Sequence, residues 1–293
     1  MSHPRFMPFG GPPYQTDLEA ARIAVLPLCY ENAVSYGTGA ESGPYHILEA
    51  SEQLEDVDEE TLEDWSRAGI HTLPPETPSS DPARAVRQMQ RAADAVLRQG
   101  KFLLSLGGDH AVSIGPIQAA ASVYPDVGVL QIDAHLDLRN EWNGSRFNHA
   151  CVMRRVADDM ALPMVQVGIR SFSKAEANLV RERGLKPVYA HMIDPSGDSW
   201  IDRVIDGLPE MVYLTVDLDG LDPSVIPGTG TPEPGGLSYR QVVRLIRSVG
   251  AARRVVAADI TELAKVPGSQ VSEFTAAKIA TKIFVHCVPF AGD

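Results

Sequence analysis

Short apolar runs rich in β-branched residues alternate along the chain with stretches of helical periodicity, and this alternation limits the fold more than any other feature. Several runs lack an alternation of apolar and polar residues, which is typical of strands covered on both faces. The runs span residues 22–28, 101–106, 127–132, 163–169, 211–216 and 254–260. Helices are predicted over residues 81–99, 113–124, 174–183, 238–248 and 272–286. The pattern predicts a single α/β domain on a mostly parallel sheet.

Composition narrows the class of protein further. The 293 residues, 44% of them hydrophobic, are enough for one large core, and no run of roughly 18 apolar residues predicts a membrane span. Residues 1–20 lack the apolar segment of a secretory signal and are predicted to form an irregular arm before one domain over 21–293. The three cysteines are far apart and fit free thiols in a reducing cytosol, so we expect a cytoplasmic protein.

The charge balance indicates the kind of partner. The formal net charge is −12 and the isoelectric point is about 5.1. This balance argues against a nucleic-acid partner and against an anionic membrane surface, and it suits a cationic ligand or simple solubility.

The run over 127–132 ends in the sequence DAHLD, which places Asp133, His135 and Asp137 at alternate positions. Alternate residues of an extended chain point to the same side, so these three side chains can converge; on a helix His135 would lie nearly opposite the two aspartates. Functional groups of open α/β sheets gather beyond the carboxyl ends of the strands. The spacing therefore predicts a site at this end of the sheet.

Two further runs end in clusters of the same kind. The run over 101–106 continues into GGDH, which ends at His110, and the run over 211–216 continues into DLDGLDP, which contains Asp217 and Asp219. One such aspartate or histidine is usually a helix cap or a hydrogen-bonded partner. Like charges gathered this closely are unfavourable without cations, so the three clusters together predict a metal site.

The candidate ligands are four carboxylates and two imidazoles: His110, Asp133, His135, Asp137, Asp217 and Asp219. They are too many for one ion and suit two, with shared carboxylates and a water or hydroxide between the metals. An oxygen-rich set without thiolates favours two Mn²⁺ over structural zinc, and Co²⁺ or Ni²⁺ stays possible. Two divalent cations cancel four carboxylates, so a bridging hydroxide leaves the site near −1, which favours a cationic substrate.

These motifs, in this order, resemble those of the ureohydrolase family of arginases and agmatinases, and agmatinases most of all. The resemblance runs from about Val25 to the last predicted helix and implies an arginase-like, three-layer α/β/α fold. It also implies a dimanganese centre that hydrolyses a guanidinium group to urea and an amine, in a homotrimer or homohexamer. The motifs that carry it are GGDH (107–110), DAHLD (133–137), DLDGLDP (217–223), GTGTPEPGGLSYRQ (228–241) and DITE (259–262).

The resemblance also implies how the ligands divide between the metals. Asp133 and Asp217 are shared by both ions. The first metal is completed by His110 and Asp137, and the second by His135 and Asp219; the resemblance leaves Asp109 beside the site without making it a ligand.

Other positions that match the family's motifs are expected to bind the substrate or to transfer protons. Glu262 matches the guanidinium-binding glutamate, Thr231 matches a threonine beside that glutamate, and His149 matches a histidine that shuttles protons or contacts substrate. A solvated carboxylate at Glu262 and a turn histidine at His149 are the alternatives. In the implied mechanism the metal-bridging hydroxide attacks the guanidinium carbon, which Glu262 orients, and Asp137 passes a proton to the departing amine.

The loop between Asp137 and His149 bears on the substrate tail. It lacks the serine- and threonine-rich pattern with which arginases hold an α-carboxylate and α-amino group, and Glu141 adds negative charge. A tail that ends in an amine is favoured, so the sequence predicts hydrolysis of agmatine to putrescine and urea. The EWNGS…HA form of the loop resembles family members of which some take aminopropylagmatine. Guanidinobutyrate, formiminoglutamate, arginine and a non-catalytic metal-binding role remain open.

Overall fold

Eight parallel strands form one sheet in the computed structural model, which describes residues 6–32, 34–194 and 197–289. They are β1 Ile23–Leu28, β2 Ile70–Thr72, β3 Phe102–Gly107, β4 Val127–Ile132, β5 Met164–Ile169, β6 Val188–Tyr189, β7 Met211–Asp217 and β8 Arg254–Thr261. Their order is β2-β1-β3-β8-β7-β4-β5-β6, so β8, the last strand in sequence, lies between β3 and β7. Every residue of β1, β3 and β4 is buried, which explains their unbroken apolar pattern.

Helices cover both faces of this sheet. They are α1 Gly43–Ser51, α2 Pro82–Leu97, α3 Ile114–Val123, α4 Val152–Asp158, α5 Lys174–Arg183, α6 Ser199–Asp206, α7 Tyr239–Ala252 and α8 Val271–Cys287. Successive residues of β1 point to two separate cores: Ile23 and Val25 pack with α1, α6, α7 and α8, whereas Ala24 and Leu26 pack with α2, α3, α4 and α5. The predicted three-layer α/β/α architecture is thereby confirmed.

The helix starts that the sequence predicted are present. Asp81 accepts a hydrogen bond from the backbone N–H of Arg84 at 2.7 Å, and Pro82 is the first residue of α2. Ser238 and Gln241 form a reciprocal capping box at the start of α7. These local signals fix where each helix begins.

Five elements have no counterpart among the predicted ones: β2, β6, α1, α4 and α6. The two strands are edge strands of three and two residues, too short to show a period. Helices α4 and α6 have seven and eight residues, about two turns each. They are stabilised by packing on the sheet, which a local pattern does not reveal.

The predicted arm over residues 1–20 packs closely on the domain where it is described; residues 1–5 of that prediction lie outside the described residues. Phe9 is fully buried, with its ring edge-on to Trp65 at 5.7 Å and to Phe284 at 5.2 Å between centroids. Pro12–Tyr14 form a short 3-10 helix. The boundary at residue 20 stays a prediction.

The structure bears directly on two sequence features, the three cysteines and the length of the apolar helices. Cys29, Cys151 and Cys287 are buried free thiols. Among the described helices, none combines the length and the apolarity that a bilayer crossing requires.

A buried lysine ties α8 to the segment that precedes β2. Lys282 is fully buried, and its Nζ lies 2.5 Å from Oδ2 of Asp58 and 3.0 Å from Oε1 of the exposed Glu59. Burial acts to raise the pKa of Asp58, but the ammonium of Lys282 outweighs it and holds that pKa below its ordinary value. Both groups of the Lys282–Asp58 pair are therefore charged at neutral pH.

Removing the carboxylate of this pair should be costly, because it leaves a buried ammonium with only Glu59 near it. We expect Asp58→Ala to lower the free energy of unfolding by about 3–5 kcal/mol. Glu63→Ala is the matched control, because it breaks an exposed pair with Arg67 in the same segment and should cost less than about 1 kcal/mol. Urea denaturation of both variants measures the difference, and equal losses would refute the interpretation.

Candidate metal centre and active site

Four adjacent strands bring the predicted motifs to one edge of the sheet. Strands β3, β8, β7 and β4 are neighbours in that order and all run parallel, so their carboxyl ends meet. His110 follows β3, Asp133 follows β4, Asp217 ends β7 and Glu262 follows β8. The backbone N–H of His110 donates to Oε1 of Glu262 at 2.8 Å across 152 positions of sequence. The topology alone therefore assembles the site.

The two glycines of GGDH allow the chain to turn beneath the site. A Cβ on Gly108 would lie 1.9 Å from the carbonyl oxygen of Tyr30, so no other residue fits there. The turn directs the Asp109 carboxylate away from the ligands, where it accepts hydrogen bonds from the backbone of Ala111 and Asn32. As the resemblance implied, Asp109 lies beside the ligand cluster and is not part of it.

Two site residues have left-handed backbone conformations, which are unfavourable for residues other than glycine. Asp137 has a φ of 50° and Glu262 a φ of 66°. Hydrogen bonds hold both in place: the N–H of Glu262 donates to the carbonyl of Gly108 at 2.7 Å, and the N–H of Arg154 donates to the carbonyl of Asp137 at 3.0 Å. The conformation turns each side chain towards the cavity.

A first group of candidate ligands surrounds one nitrogen of His110. Its Nδ1 lies 2.8 Å from Oδ2 of Asp137, 3.1 Å from Oδ2 of Asp133 and 3.3 Å from Oδ2 of Asp217. All four side chains are buried. Within the described residues this Nδ1 has no hydrogen bond of ordinary geometry, so it is a buried polar atom without a partner of its own.

A second group shares one aspartate with the first. Nδ1 of His135 lies 3.0 Å from Oδ2 of Asp219 and 3.5 Å from Oδ1 of Asp133. Asp133 thus turns one oxygen towards each histidine, as a bridging carboxylate would. Asp133 lies in both groups, as the resemblance implied, whereas Asp217, which it also assigned to both metals, is placed by these distances beside His110 in the first group. The division of ligands between two metals stays a prediction.

The ionisation of the cluster reflects how closely its buried carboxylates lie to one another. Burial and then the charge of Asp133 raise the pKa of Asp137 to about 7, and burial and then Asp219 raise that of Asp217 well above its ordinary value. Burial lowers the pKa of His135, but Asp219 and Asp133 outweigh it and raise that pKa to about 12. Divalent cations would relieve this repulsion, and the oxygen-rich donor set suits two of them.

A cavity of about 300 Å³ opens above the ligands. Every predicted site residue except Asp133, which lies fully buried beneath it, lines this cavity. The lining residues from the prediction are His110, His135, Asp137, His149, Asp217, Asp219, Thr231 and Glu262. The structure therefore brings together the predicted metal ligands, His149, Thr231 and Glu262.

Glu262 and Thr231 occupy the wall beside β8. Burial and then the charge of Asp109 raise the pKa of Glu262 well above its ordinary value, while its Oε1 is fixed by the backbone of His110. The hydroxyl of Thr231 donates to Oδ2 of Asp219 at 3.1 Å, so this threonine supports a candidate metal ligand while lying in the same cavity as Glu262.

His149 also lines the cavity, and one of its ring nitrogens is engaged. Its Nε2 is 2.9 Å from Oγ of Ser35, and its buried Nδ1 has no hydrogen-bond partner among the described residues. Burial, and then the charges of His110 and His135, lower the pKa of His149 to about 4. The imidazole is therefore neutral at neutral pH, so one of its two ring nitrogens is a hydrogen-bond acceptor.

The outer part of the cavity was not predicted from the sequence. Arg139 and Trp142 line it, and the guanidinium carbon of Arg139 lies 4.0 Å from the centre of the Trp142 ring. Phe172 and Glu176 lie there as well. Arg139 and Trp142 belong to the loop after DAHLD, which could have indicated them, whereas Phe172 and Glu176 follow β5, where the only sequence signal is the capping box that Glu176 forms with Ser173.

Glu141, expected to face the substrate tail, is exposed and lines an adjoining groove of about 400 Å³. This groove shares Arg139, Ser173 and Glu176 with the cavity, so the two spaces adjoin at these residues. Arg139 lines the cavity, which could not be predicted from the sequence. Arg146 instead forms an exposed ion pair with Asp159.

The chain resembles proteins of known class along almost its whole length. A family model described as the arginase family matches residues 21–286. An N(1)-aminopropylagmatine ureohydrolase of a Synechocystis species is 40% identical over 92% of this chain and 90% of its own. An agmatinase of Pyrococcus horikoshii is 31% identical over 90% and 91%. The solved agmatine ureohydrolase of Thermoplasma volcanium superimposes with a TM-score of 0.85 at 30% identity, over 93% and 92%.

Removal of metal should destabilise the protein, because the four carboxylates would then repel one another. We expect a chelator to lower the melting temperature and Mn²⁺ to restore it, with about two ions per chain by elemental analysis. Asp133→Asn should lower the affinity for both metal ions, since Asp133 faces both groups of ligands. Asp219→Asn should lower chiefly the affinity for the ion beside His135. A single tightly bound zinc per chain would contradict the two-metal interpretation.

His149 should make stability depend on pH in a defined direction. Its pKa is about 4 in the folded chain and 6.5 ordinarily, so the unfolded state binds more protons between these values and folding is disfavoured as the pH falls below 6.5. Between pH 7.5 and 5.5 the wild type should lose about 1 kcal/mol more unfolding free energy than His149→Asn. Urea denaturation at both pH values measures this loss, and identical losses would show that the imidazole is not held neutral.

Proposed function

Because the chain belongs to the arginase family, we propose that it hydrolyses N1-aminopropylagmatine to urea and the triamine spermidine. The coarser assignment, a ureohydrolase that acts on guanidino compounds, follows from the family. One observation supports the finer one: the catalytic cavity adjoins a second groove lined by the carboxylates of Glu141 and Glu176, in a chain 40% identical to an aminopropylagmatine ureohydrolase. The reaction consumes one water, whose oxygen leaves in urea.

The inner cavity suits the guanidinium head group. Two divalent metal ions supply, when bound, the polarisation that makes water nucleophilic at neutral pH. Glu262 offers a carboxylate fixed at one oxygen by the N–H of His110, so it can orient a planar cation by charge-assisted hydrogen bonds. Such orientation places the guanidinium carbon over the ligand cluster.

Two residues are placed to move protons. The Asp137 carboxylate lies against the ligand cluster and lines the cavity, so it can take a proton from the attacking water and give it to the departing amine. His149 lines the cavity with Nε2 against the hydroxyl of Ser35, so we propose that it contacts the substrate or relays protons between the cavity and its rim, as the resemblance implied. Thr231 keeps Asp219 in position at the floor.

The outer spaces suit a long cationic tail. Beyond Arg139 the groove is lined by the carboxylates of Glu141 and Glu176, and the nearby guanidinium of Arg154 is already paired with Asp158. Arg139 is stacked on Trp142. A terminal ammonium group that reaches the groove would therefore form an ion pair with the exposed carboxylate of Glu141.

Agmatine is the second candidate, and a specific observation favours it. Relatives at 31% identity and the superimposed structure from Thermoplasma volcanium are named agmatinase and agmatine ureohydrolase. Agmatine would occupy the cavity without reaching the groove. A tail that ends in a carboxylate would instead meet Glu141 and Glu176 in the groove, where Arg139 is the nearby guanidinium and that of Arg154 is already paired with Asp158.

A substrate panel separates these candidates. We expect kcat/KM for N1-aminopropylagmatine to exceed that for agmatine at least about tenfold, the equivalent of about 1.4 kcal/mol, because only the longer tail reaches Glu141. Arginine and guanidinobutyrate should be poorer than both. Equal or better turnover of agmatine would favour the second candidate, and preference for a carboxylate tail would overturn both.

Two variants test the division between head and tail. Glu262→Gln should lower kcat/KM for every guanidino substrate alike, since it alters the shared head-group contact. Glu141→Gln should lower it only for N1-aminopropylagmatine, by about threefold to tenfold. Glu182→Gln, the same change at an exposed position of α5, should leave all values unchanged.

The remaining finer points are part of this proposal. We propose Mn²⁺ as the native metal on the basis of the oxygen-rich ligand set. A homotrimer or homohexamer and a cytoplasmic location are proposed from the resemblance to agmatinases and from the three buried free thiols.

A further inference from the structure

A chain of buried hydrogen bonds lies behind His110, on the side away from the other ligands. Nε2 of His110 is 2.9 Å from Oγ1 of Thr215, and that Oγ1 is 2.6 Å from Oδ1 of Asp259. The hydroxyl of Tyr213 donates to Oδ2 of Asp259 at 2.7 Å. Thr215, Asp259 and Tyr213 are completely buried within β7 and β8. No step of the proposed reaction uses them.

The direction of these hydrogen bonds follows from the number of protons. A threonine hydroxyl has one hydrogen to donate, and a carboxylate only accepts. Since both oxygens of Asp259 accept from hydroxyls, the proton of Thr215 is directed to Asp259. The Oγ1 of Thr215 must then accept from His110, so Nε2 carries a hydrogen.

This direction determines which nitrogen of His110 can bind a cation. A histidine ligand has one ring nitrogen for the metal, and its other N–H is held by an acceptor. Here Nδ1 faces Asp133, Asp137 and Asp217, so a proton on Nδ1 is the one that a metal displaces, while the proton on Nε2 is retained by Thr215. The opposite arrangement would leave a hydrogen pointing at the metal.

We propose that Thr215 and Asp259 are positioning residues that fix the tautomer and orientation in which His110 presents Nδ1 to a metal. The inference rests on the two-metal interpretation of the site and not on the identity of the substrate tail. A purely structural role, in which the buried groups only stabilise the sheet, is the alternative that the experiment must exclude.

Three substitutions separate the two roles. Thr215→Val removes the acceptor for Nε2 at nearly constant volume, and Thr215→Ser restores it. Tyr213→Phe is the matched control, because it removes another hydroxyl from the same Asp259 in the same core and leaves the link to His110 intact. A structural role predicts similar effects of Thr215→Val and Tyr213→Phe, whereas the positioning role predicts a difference in metal binding.

Calorimetric titration of the chelator-treated proteins with Mn²⁺ measures this difference. We expect Thr215→Val to lower the affinity for one of the two Mn²⁺ ions by about 10–100-fold and to leave the affinity for the other unchanged. Thr215→Ser should bind both ions as the wild type does. Tyr213→Phe should keep both affinities even where its melting temperature falls. Unchanged binding by Thr215→Val, or equal weakening by Tyr213→Phe, would overturn the proposal.

Asp259→Asn tests the proton direction itself. Its amide can donate to Thr215, whose hydroxyl then turns to donate to Nε2, so the ring tends to keep its proton on Nδ1 and one ion should bind about 10-fold or more weaker. The wild type offers an independent measurement that no folding defect can obscure. In ¹⁵N-labelled protein loaded with Cd²⁺, His110 should show a protonated Nε2 and a metal-coupled Nδ1, and the reverse assignment would refute the inference.

Discussion

The mutual repulsion of four buried carboxylates is the constraint around which the carboxyl edge of the sheet is organised. Backbone N–H groups restrain them: that of His135 donates to Asp133 at 2.6 Å, that of Ala134 to Asp219 at 3.1 Å and that of Asp219 to Asp217 at 2.9 Å. Each bond orients an oxygen without neutralising the cluster. The fold thereby holds a set of donors in place whose charge only cations can balance.

The motifs could be located from the sequence because parallel strands share one carboxyl edge. DAHLD and DLDGLDP each follow an apolar run, and the rule that ligands gather beyond such ends required no knowledge of the strand order. The positions of Ser35, Arg139 and Trp142 could not be derived this way. Each belongs to a loop whose course depends on contacts with distant segments, as the link between Ser35 and His149 across 114 positions shows.

The hydrogen bonds between His110, Thr215 and Asp259 could not be predicted from the sequence for a different reason. Thr215 lies opposite Asp259 only because the pairing of β7 with β8 shifts register between Val212 and Tyr213. A shift of one residue exchanges the faces of a strand, and no local pattern in either run encodes it. The same pairing places Asp217 opposite Thr261, next to Glu262, so register sets both the ligands and the groups that support them.

The central position of β8 bears on how the protein is made. Ribosomes release a chain from its N-terminus, so β1–β3 and β4–β7 emerge while the strand that joins them in the sheet is still unmade. Until β8 is inserted, β3 and β7 each present an open, apolar edge, and Glu262 is absent from between them. Before β8 is made, the chain therefore contains two part-sheets with unpaired inner edges, and the synthesis of β8 and Glu262 closes the sheet and completes the candidate active site together.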